Sequence, residues 1–300
     1  MVAFPEPRRW TREELSDARI AAIGDFVAGR NEEGGESYAA MLTEAIAAVE
    51  RLFVATDNLR AVEPANLVAT PLLVAPLRHT AGPPISEDDL STMAGVRKNP
   101  RVYLSTEAEA IIAILAAARD QIRLPWLNAG RESTETERWA AILATATLWA
   151  TQQMATKRRN ESADRQEAAV RALLTAEGFR EIPTRRSITN IDDLARGEFC
   201  AECEVVGTKA DVCIRLHNGR LLLIECKVSG SALNSVKRLL HDIGDKAAVW
   251  RAGFGAQAIP MGVIAGVFKL KNLEDAQTKG IAIVWERDLS PLAEFVRAAR

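Results

Sequence analysis

Apolar positions in the first half of the chain recur every three or four residues, the period of a helix with one buried face. Thr11 and Glu14 stand as a capping pair ahead of a helix expected to run to about residue 28, and Met41, Ile46, Val49 and Phe53 mark a second over 37–55. Proline interrupts 62–85, which predicts irregular chain with short helical turns. Ser86 with Asp89, and Thr106 with Glu109, open two further helices. Trp139, Ile142, Ala146 and Trp149 share a face of a long one from about 134 to 157. The first half therefore predicts an all-α region.

The pattern changes after the polar stretch KRRNESADR at 157–165, which predicts a boundary between a helical N-terminal domain (1–159) and a second domain (160–300). Ser162 is placed to cap a helix with Ala169, Val170, Leu173 and Leu174 as its apolar stripe, stopped by Gly178. Strand-like runs follow: FCAECEVV (199–206), ADVCIRL (210–216) and LLLIECKV (221–228), separated by the turns GTK and HNGR. A helix over 232–251 carries Val236, Leu240, Ile243, Ala247 and Trp250 on one face; strands at 261–268 and 280–285, a short helix at 273–278 and a last helix from Leu289 complete the order. Helix, three strands, then alternating helices and strands predict an α/β fold, a mixed β-sheet flanked by helices and preceded by the all-α region.

Composition adds bounds. With 300 residues, 48% of them hydrophobic, the chain has apolar material for one large or two modest cores. AIIAILAAA at 110–118 is well short of the ~20 apolar residues of a membrane helix, and the first residues have no apolar leader, so a soluble, unexported protein is expected. A net charge of −2 excludes a generally basic nucleic-acid coat and leaves only local clusters, RKNPR (97–101), KRR (157–159) and RR (185–186). Cys200 and Cys203 form a C-x-x-C, but no second pair completes a four-ligand zinc site; with Cys213 and Cys226 they read as small core residues of a reducing compartment.

LLLIECKVS (221–229) places Glu225 and Lys227 in an otherwise apolar strand, on the same face. With Asn218-Gly219 as the centre of the preceding turn, Asp211 becomes a near neighbour of Glu225 across the ladder. A structural ion pair is the plain reading, yet a buried one is usually neutral or costly relative to apolar residues. Two carboxylates with the backbone carbonyl of Cys226 offer a hard-oxygen seat for Mg²⁺, beside which Lys227 could orient a water and offset charge developing on a phosphate. No G-x-S-x-G, phosphate-binding G-x-x-x-x-G-K or H-E-x-x-H pattern competes.

Asp211, thirteen intervening residues and Glu225-Cys226-Lys227, in this order of elements, resemble the PD-(D/E)XK nuclease superfamily, with Ala210 at the proline position. Glu167 in RQEAAVRALLTAEGF matches the acidic residue that often supports the metal in such nucleases. ECKVSGSALNSVKRLLHDIGDKAAVW and VIAGVFKLKNLEDAQTKGIAIVWERDL resemble the XamI-like type II restriction endonucleases over the C-terminal half. The resemblance implies a Mg²⁺-dependent endonuclease on double-stranded DNA, with Asp211, Glu225 and Lys227 catalytic and Asp211, Glu225, the Cys226 carbonyl and Glu167 at the metal. It further implies 5′-phosphate ends, a homodimer on a palindromic site, a DNA methyltransferase of the same specificity as functional partner, and a bacterial cytoplasmic setting. Ser229, Asn234, Lys237 and Arg238, after the catalytic strand, are expected to hold phosphates or support the site, and the helical half to supply dimer contacts or close over DNA. Two other readings share these residues: an Mrr-like, repair or junction-resolving nuclease, and a non-catalytic DNA-binding module in which the three charged side chains form only an ion-pair cluster.

Overall fold

A computed structural model describes residues 4–32, 35–184 and 187–300; the side chains of Glu32, Asn234 and Lys237 lie outside the described residues, as does the arginine pair at 185–186. The chain forms two compact units, 33–157 on the one hand and 1–32 with 158–300 on the other. The opening helix therefore does not belong with the helical half, where its sequence position had placed it. α1 (Arg12–Glu32) is capped as expected: Glu14 N–H donates to Thr11 Oγ1 at 3.2 Å and Thr11 N–H to Glu14 Oε2 at 2.7 Å. Its Leu15 and Ala22 are buried among Ile243, Ile264, Phe268, Leu273 and Trp285, and those contacts decide its membership. The segment before it is tied to the same unit. Trp10 Nε1 donates to the Ile283 carbonyl at 2.7 Å, and the buried Arg220 guanidinium donates to Glu6 Oε1 at 2.7 Å and to the Pro5 carbonyl.

The helical unit contains α2 (Glu36–Ala55), α3 (Pro64–Ala69), α4 (Val74–Arg78), α5 (Glu87–Ala94), α6 (Ser105–Ala117), α7 (Pro125–Asn128) and the first part of α8 (Glu135–Ala176). Leu52, Phe53, Leu67, Ile111, Trp126 and Ile142 anchor its core. Ser86 caps α5 by accepting from Asp89 N–H at 3.0 Å. Thr106 does not cap α6: the helix starts one residue earlier, and the Glu107 carboxylate accepts the Leu104 N–H at 2.8 Å. Trp139, expected on the buried stripe, is 49% exposed.

α8 runs unbroken through the expected boundary, and the two units divide between 157 and 158. KRRNESADR lies inside one continuous helix of 42 residues, so Ser162 caps nothing. The stretch contains neither Gly nor Pro and is rich in Lys, Arg, Glu and Ala, all good helix formers, so its polarity reflects exposure rather than a break. In the second unit α8 buries Val170 and Leu174 against the sheet.

That sheet has seven strands: β1 (Arg180–Glu181), β2 (Ser187–Ile188), β3 (Glu198–Val205), β4 (Thr208–Arg215), β5 (Leu221–Ser229), β6 (Ala258–Gly266) and β7 (Ala282–Trp285), in the order β1-β3-β4-β5-β6-β7 with β2 also on β3. β3, β4 and β5 are antiparallel, whereas β6 and β7 continue parallel to β5. The flanking helices are α9 (Asn234–Val236), a π-helical turn (Lys237–Ile243), α10 (Gly244–Phe254), α11 (Leu270–Thr278) and α12 (Ser290–Ala298). This is the expected mixed sheet flanked by helices. β5 lies inside the sheet with β4 and β6 on either side; Leu222 and Ile224 enter one core cluster and Leu221 and Leu223 another, which is why its sequence is an unbroken apolar run. Cys200, Cys203, Cys213 and Cys226 are buried and form no disulfide, the first three packed with Leu223 and Trp250.

Candidate active site

The β4–β5 ladder runs from Arg215 opposite Leu221 to Val212 opposite Ile224, so the next residue on each strand is Asp211 and Glu225. The connecting loop is centred on Asn218 rather than between Asn218 and Gly219, which moves the pairing register by one: Leu216 N–H bonds to the Arg220 carbonyl at 2.9 Å, Asn218 Oδ1 accepts the Arg220 N–H at 3.0 Å, and Gly219 takes φ +95°. That shift brings the two carboxyl-bearing residues level. Beyond Val212 a side chain replaces the ladder, and the Cys226 N–H donates to Asp211 Oδ2 at 2.7 Å.

Lys227 closes the cluster. Its ammonium lies 3.0 Å from Asp211 Oδ2, 3.1 Å from the Cys226 carbonyl and 2.8 Å from Glu225 Oε2. Glu225 has no exposed side-chain surface, and its other oxygen, Oε1, accepts from Lys246 Nζ of α10 at 2.6 Å. Burial, and after it the charge of Asp211, pushes the Glu225 carboxyl above the usual carboxylate range, opposed by the two lysines. Burial alone would lower the Lys227 ammonium, but the charges of Glu225 and Asp211 outweigh it and hold it protonated.

Glu167 projects from α8 near this cluster. Burial, then the charges of Asp211 and Glu202, raise its carboxyl to about 7, against the pull of Lys227. Among the described residues no three Asp, Glu, His or Cys side chains form a group able to hold a metal ion, and Glu167 is an electrostatic neighbour of Asp211 and Lys227. A raised carboxyl pKa favours the folded state below the unfolded value near 4.5, and that advantage is lost as pH rises through about 7. In EDTA, wild-type stability relative to Glu167→Gln should therefore fall between pH 5 and pH 8, as followed by urea unfolding at several pH values. A flat difference would mean that Glu167 is solvated.

Two residues of the site escaped the sequence. Glu202 falls between the Ala201–Val212 and Cys203–Ala210 pairs of β3 and β4, at the unpaired position level with Asp211, with φ +47°. A left-handed residue within a strand leaves no periodicity signal. Lys246 follows Lys227 by 19 positions and borders the buried Ala247; only the helix's packing reveals that it reaches Glu225. The expected supporting residues divide. Ser229 is fully buried, and its hydroxyl donates to the Ser231 carbonyl at 2.8 Å, so it is not turned outward to a phosphate. Arg238 is part exposed and 3.5 Å from Asp242, while the side chains of Asn234 and Lys237 fall outside the described residues.

The sequence model for XamI restriction endonuclease matches residues 57–285. The chain belongs to the XamI restriction endonuclease family. The match takes in most of the helical unit, where no resemblance had been visible, as well as the sheet. The type II restriction enzyme XamI of Xanthomonas campestris pv. amaranthicola is 40% identical over 262 residues, covering 85% of this chain and 95% of that enzyme. The type II restriction enzyme SalI of Streptomyces albus G is 23% identical over 317 residues, covering 97% and 98%. The cluster of Asp211, Glu225, Cys226 and Lys227 lies within the XamI-family match.

Proposed function

We propose that this XamI-family protein is a type II restriction endonuclease of the PD-(D/E)XK kind. It hydrolyses phosphodiester bonds of double-stranded DNA at a specific palindromic site in a Mg²⁺-dependent reaction, leaves 5′-phosphate ends and acts as a cytoplasmic homodimer. A DNA methyltransferase of the same specificity would protect the host's own sites. One observation carries the chemistry: Asp211 Oδ2, Glu225 Oε2 and the Cys226 carbonyl all lie within 3.1 Å of a single point, the Lys227 ammonium. Three hard oxygens about a cationic centre suit Mg²⁺, which ordinarily takes one or two carboxylates and keeps several waters. Bound there, the ion would act as a Lewis acid for a phosphoryl oxygen and for a water.

The chain's own groups divide the remaining work. Asp211 and Glu225 fix the seat, the first by accepting the Cys226 N–H and the second by its two lysine contacts. Lys227, whose ammonium rests on the oxygens of the seat, would stand beside a bound ion to orient the attacking water and to offset charge on a non-bridging phosphate oxygen. In-line attack forms the new P–O bond as the P–O3′ bond breaks, giving a 3′-hydroxyl and a 5′-phosphate. The helical unit is proposed to supply dimer contacts or to close over DNA.

Arg30, near the end of α1, extends the cationic border. Its guanidinium lies over the Phe26 ring, 5.0 Å from the centroid, and 3.9 Å from where a Cβ would stand on Gly230, the first residue beyond β5. A phosphate beside the cut bond is its proposed ligand. Arg30→Ala should weaken binding of all duplex sequences alike and lower the slope of log affinity against log salt by about one, measured with Ca²⁺ in place of Mg²⁺. An unchanged slope would remove Arg30 from the DNA interface.

The deciding experiment is digestion of a fully sequenced phage or plasmid DNA with and without Mg²⁺, with the fragment ends mapped. Discrete ends at one short palindrome are expected. Linear duplex left whole while branched DNA is cut would favour a junction-resolving nuclease, and intact DNA of every kind would leave only a binding module.

A further inference from the structure

Glu225 is the most buried charged side chain of the site and is held by two ammonium groups on opposite oxygens, Lys227 at Oε2 and Lys246 at Oε1. The two lysines are not equivalent. Lys227 touches all three oxygens proposed as the Mg²⁺ seat, so this ammonium and a divalent ion compete for the same atoms. Lys246 touches Glu225 on the other side, and its 2.6 Å bond comes from α10, a helix separated in sequence from the catalytic strand by α9 and the π-helical turn. When Lys227 yields the seat, its hold on Oε2 is lost, and Lys246 becomes the described contact that still fixes the carboxylate's rotation. A carboxylate free to turn about its last bond presents a poorly placed oxygen.

We propose that Lys246 is a positioning residue of the nuclease centre. It holds Oε1 of Glu225 so that Oε2 stays aligned with Asp211 and the Cys226 carbonyl while a divalent cation takes over the contacts now made by Lys227. This rests on the Mg²⁺ reading of the site. Groups that orient a metal ligand typically contribute 10–100-fold to metal affinity or activity, which sets the scale of the expected effect.

The test is a titration of the full chain with Mn²⁺, followed by electron paramagnetic resonance in the absence of DNA, beside steady-state cleavage with Mg²⁺. Lys246→Met should bind Mn²⁺ about 10–100-fold more weakly than wild type and lose a similar factor in kcat, with KM for DNA nearly unchanged. Lys246→Arg, which keeps a cationic donor, should restore most of both. Lys227→Met is expected to move the other way in binding, holding Mn²⁺ at least as tightly as wild type because a competing ammonium is gone, while its cleavage collapses. Should Lys246→Met fail to show a cooperative thermal transition, Lys246→Gln, whose amide can still donate to Oε1, takes its place with an intermediate loss expected. Unaltered Mn²⁺ affinity in a folded Lys246 variant overturns the positioning role, as does a raised KM with kcat intact, which would make Lys246 a DNA ligand. Wild type that binds Mn²⁺ no better than Asp211→Asn overturns the seat itself, and the positioning role with it.

Discussion

Asp211→Ala should reduce Mg²⁺-dependent cleavage by about 10³–10⁵-fold, the loss of several kcal/mol of charge stabilisation at the reacting phosphate. Asp211 stands at the end of the β4–β5 ladder with its carboxylate turned into the seat, and 20% of its side chain is exposed. Truncation also removes the acceptor of the Cys226 N–H, and an orphaned buried donor costs about 1–3 kcal/mol, so a modest fall in melting temperature accompanies the lost activity. Asp211→Asn separates the two effects. Its amide oxygen can still accept that N–H, so stability should recover while cleavage stays lost. Duplex binding with Ca²⁺ should survive in both variants. Near-normal cleavage by Asp211→Ala would move the active centre away from this strand pair.

Gly266→Ala should be the most damaging single-methyl change to the fold. Gly266 ends β6 at φ +89°, where an L-residue pays about 1–2 kcal/mol, and a Cβ there would stand 2.3 Å from the Ser229 carbonyl oxygen. The obstacle is backbone, and it is fixed: the same carbonyl accepts the Val267 N–H at 2.8 Å, and Ser229 is the register partner of Gly266. Relief requires the ends of β5 and β6 to part, at an overpacking cost of about 1–3 kcal/mol more. Lys227 is two residues back along β5, so cleavage should fall along with stability. Gly24→Ala in α1 is the control, since nothing lies within 4 Å of its Cβ and a helix favours Ala over Gly. Thermal melts of both variants decide the matter; equal transitions would show that the β5–β6 ends adapt freely.

The charged triplet was legible because its chemistry conflicts with its surroundings: Glu225 and Lys227 interrupt a run that the sheet needs apolar on both faces. The hairpin arithmetic then found Asp211, although Asn218 shifted the centre by folding its own side chain back on the Arg220 amide. Residues whose roles depend on distant packing were not legible. Regular helical spacing through 232–251 puts Leu240 on the buried face; with the π-helical turn, Leu239 is the fully buried residue ahead of Ile243, Ala247 and Trp250, and Leu240 packs partly buried against the same cluster. Downstream of that turn Lys246 reaches Glu225, which no 3.6-residue reading anticipates. For Ser229 the sequence offered a phosphate ligand or a support of the site; its hydroxyl closes its own turn on Ser231, a contact that no spacing announces. The polar composition of 157–165 likewise marks a solvated stretch of α8 and not the end of a helix.

The placement of α1 bears on how the protein is made. Leu15 and Ala22 leave the ribosome more than 200 residues ahead of their partners Ile264, Phe268, Leu273 and Trp285, so α1 waits for that stretch of chain before it can bury that surface. A nascent chain that stops before residue 258 contains Asp211, Glu225 and Lys227 but lacks β6, which pairs with β5 along all nine residues of the strand. In such a fragment β5 would be an open edge and α1 would have no socket. The pieces of the proposed centre are thus present before the scaffold that aligns them, and the unit can close only once β6 and the partners of α1 have been made.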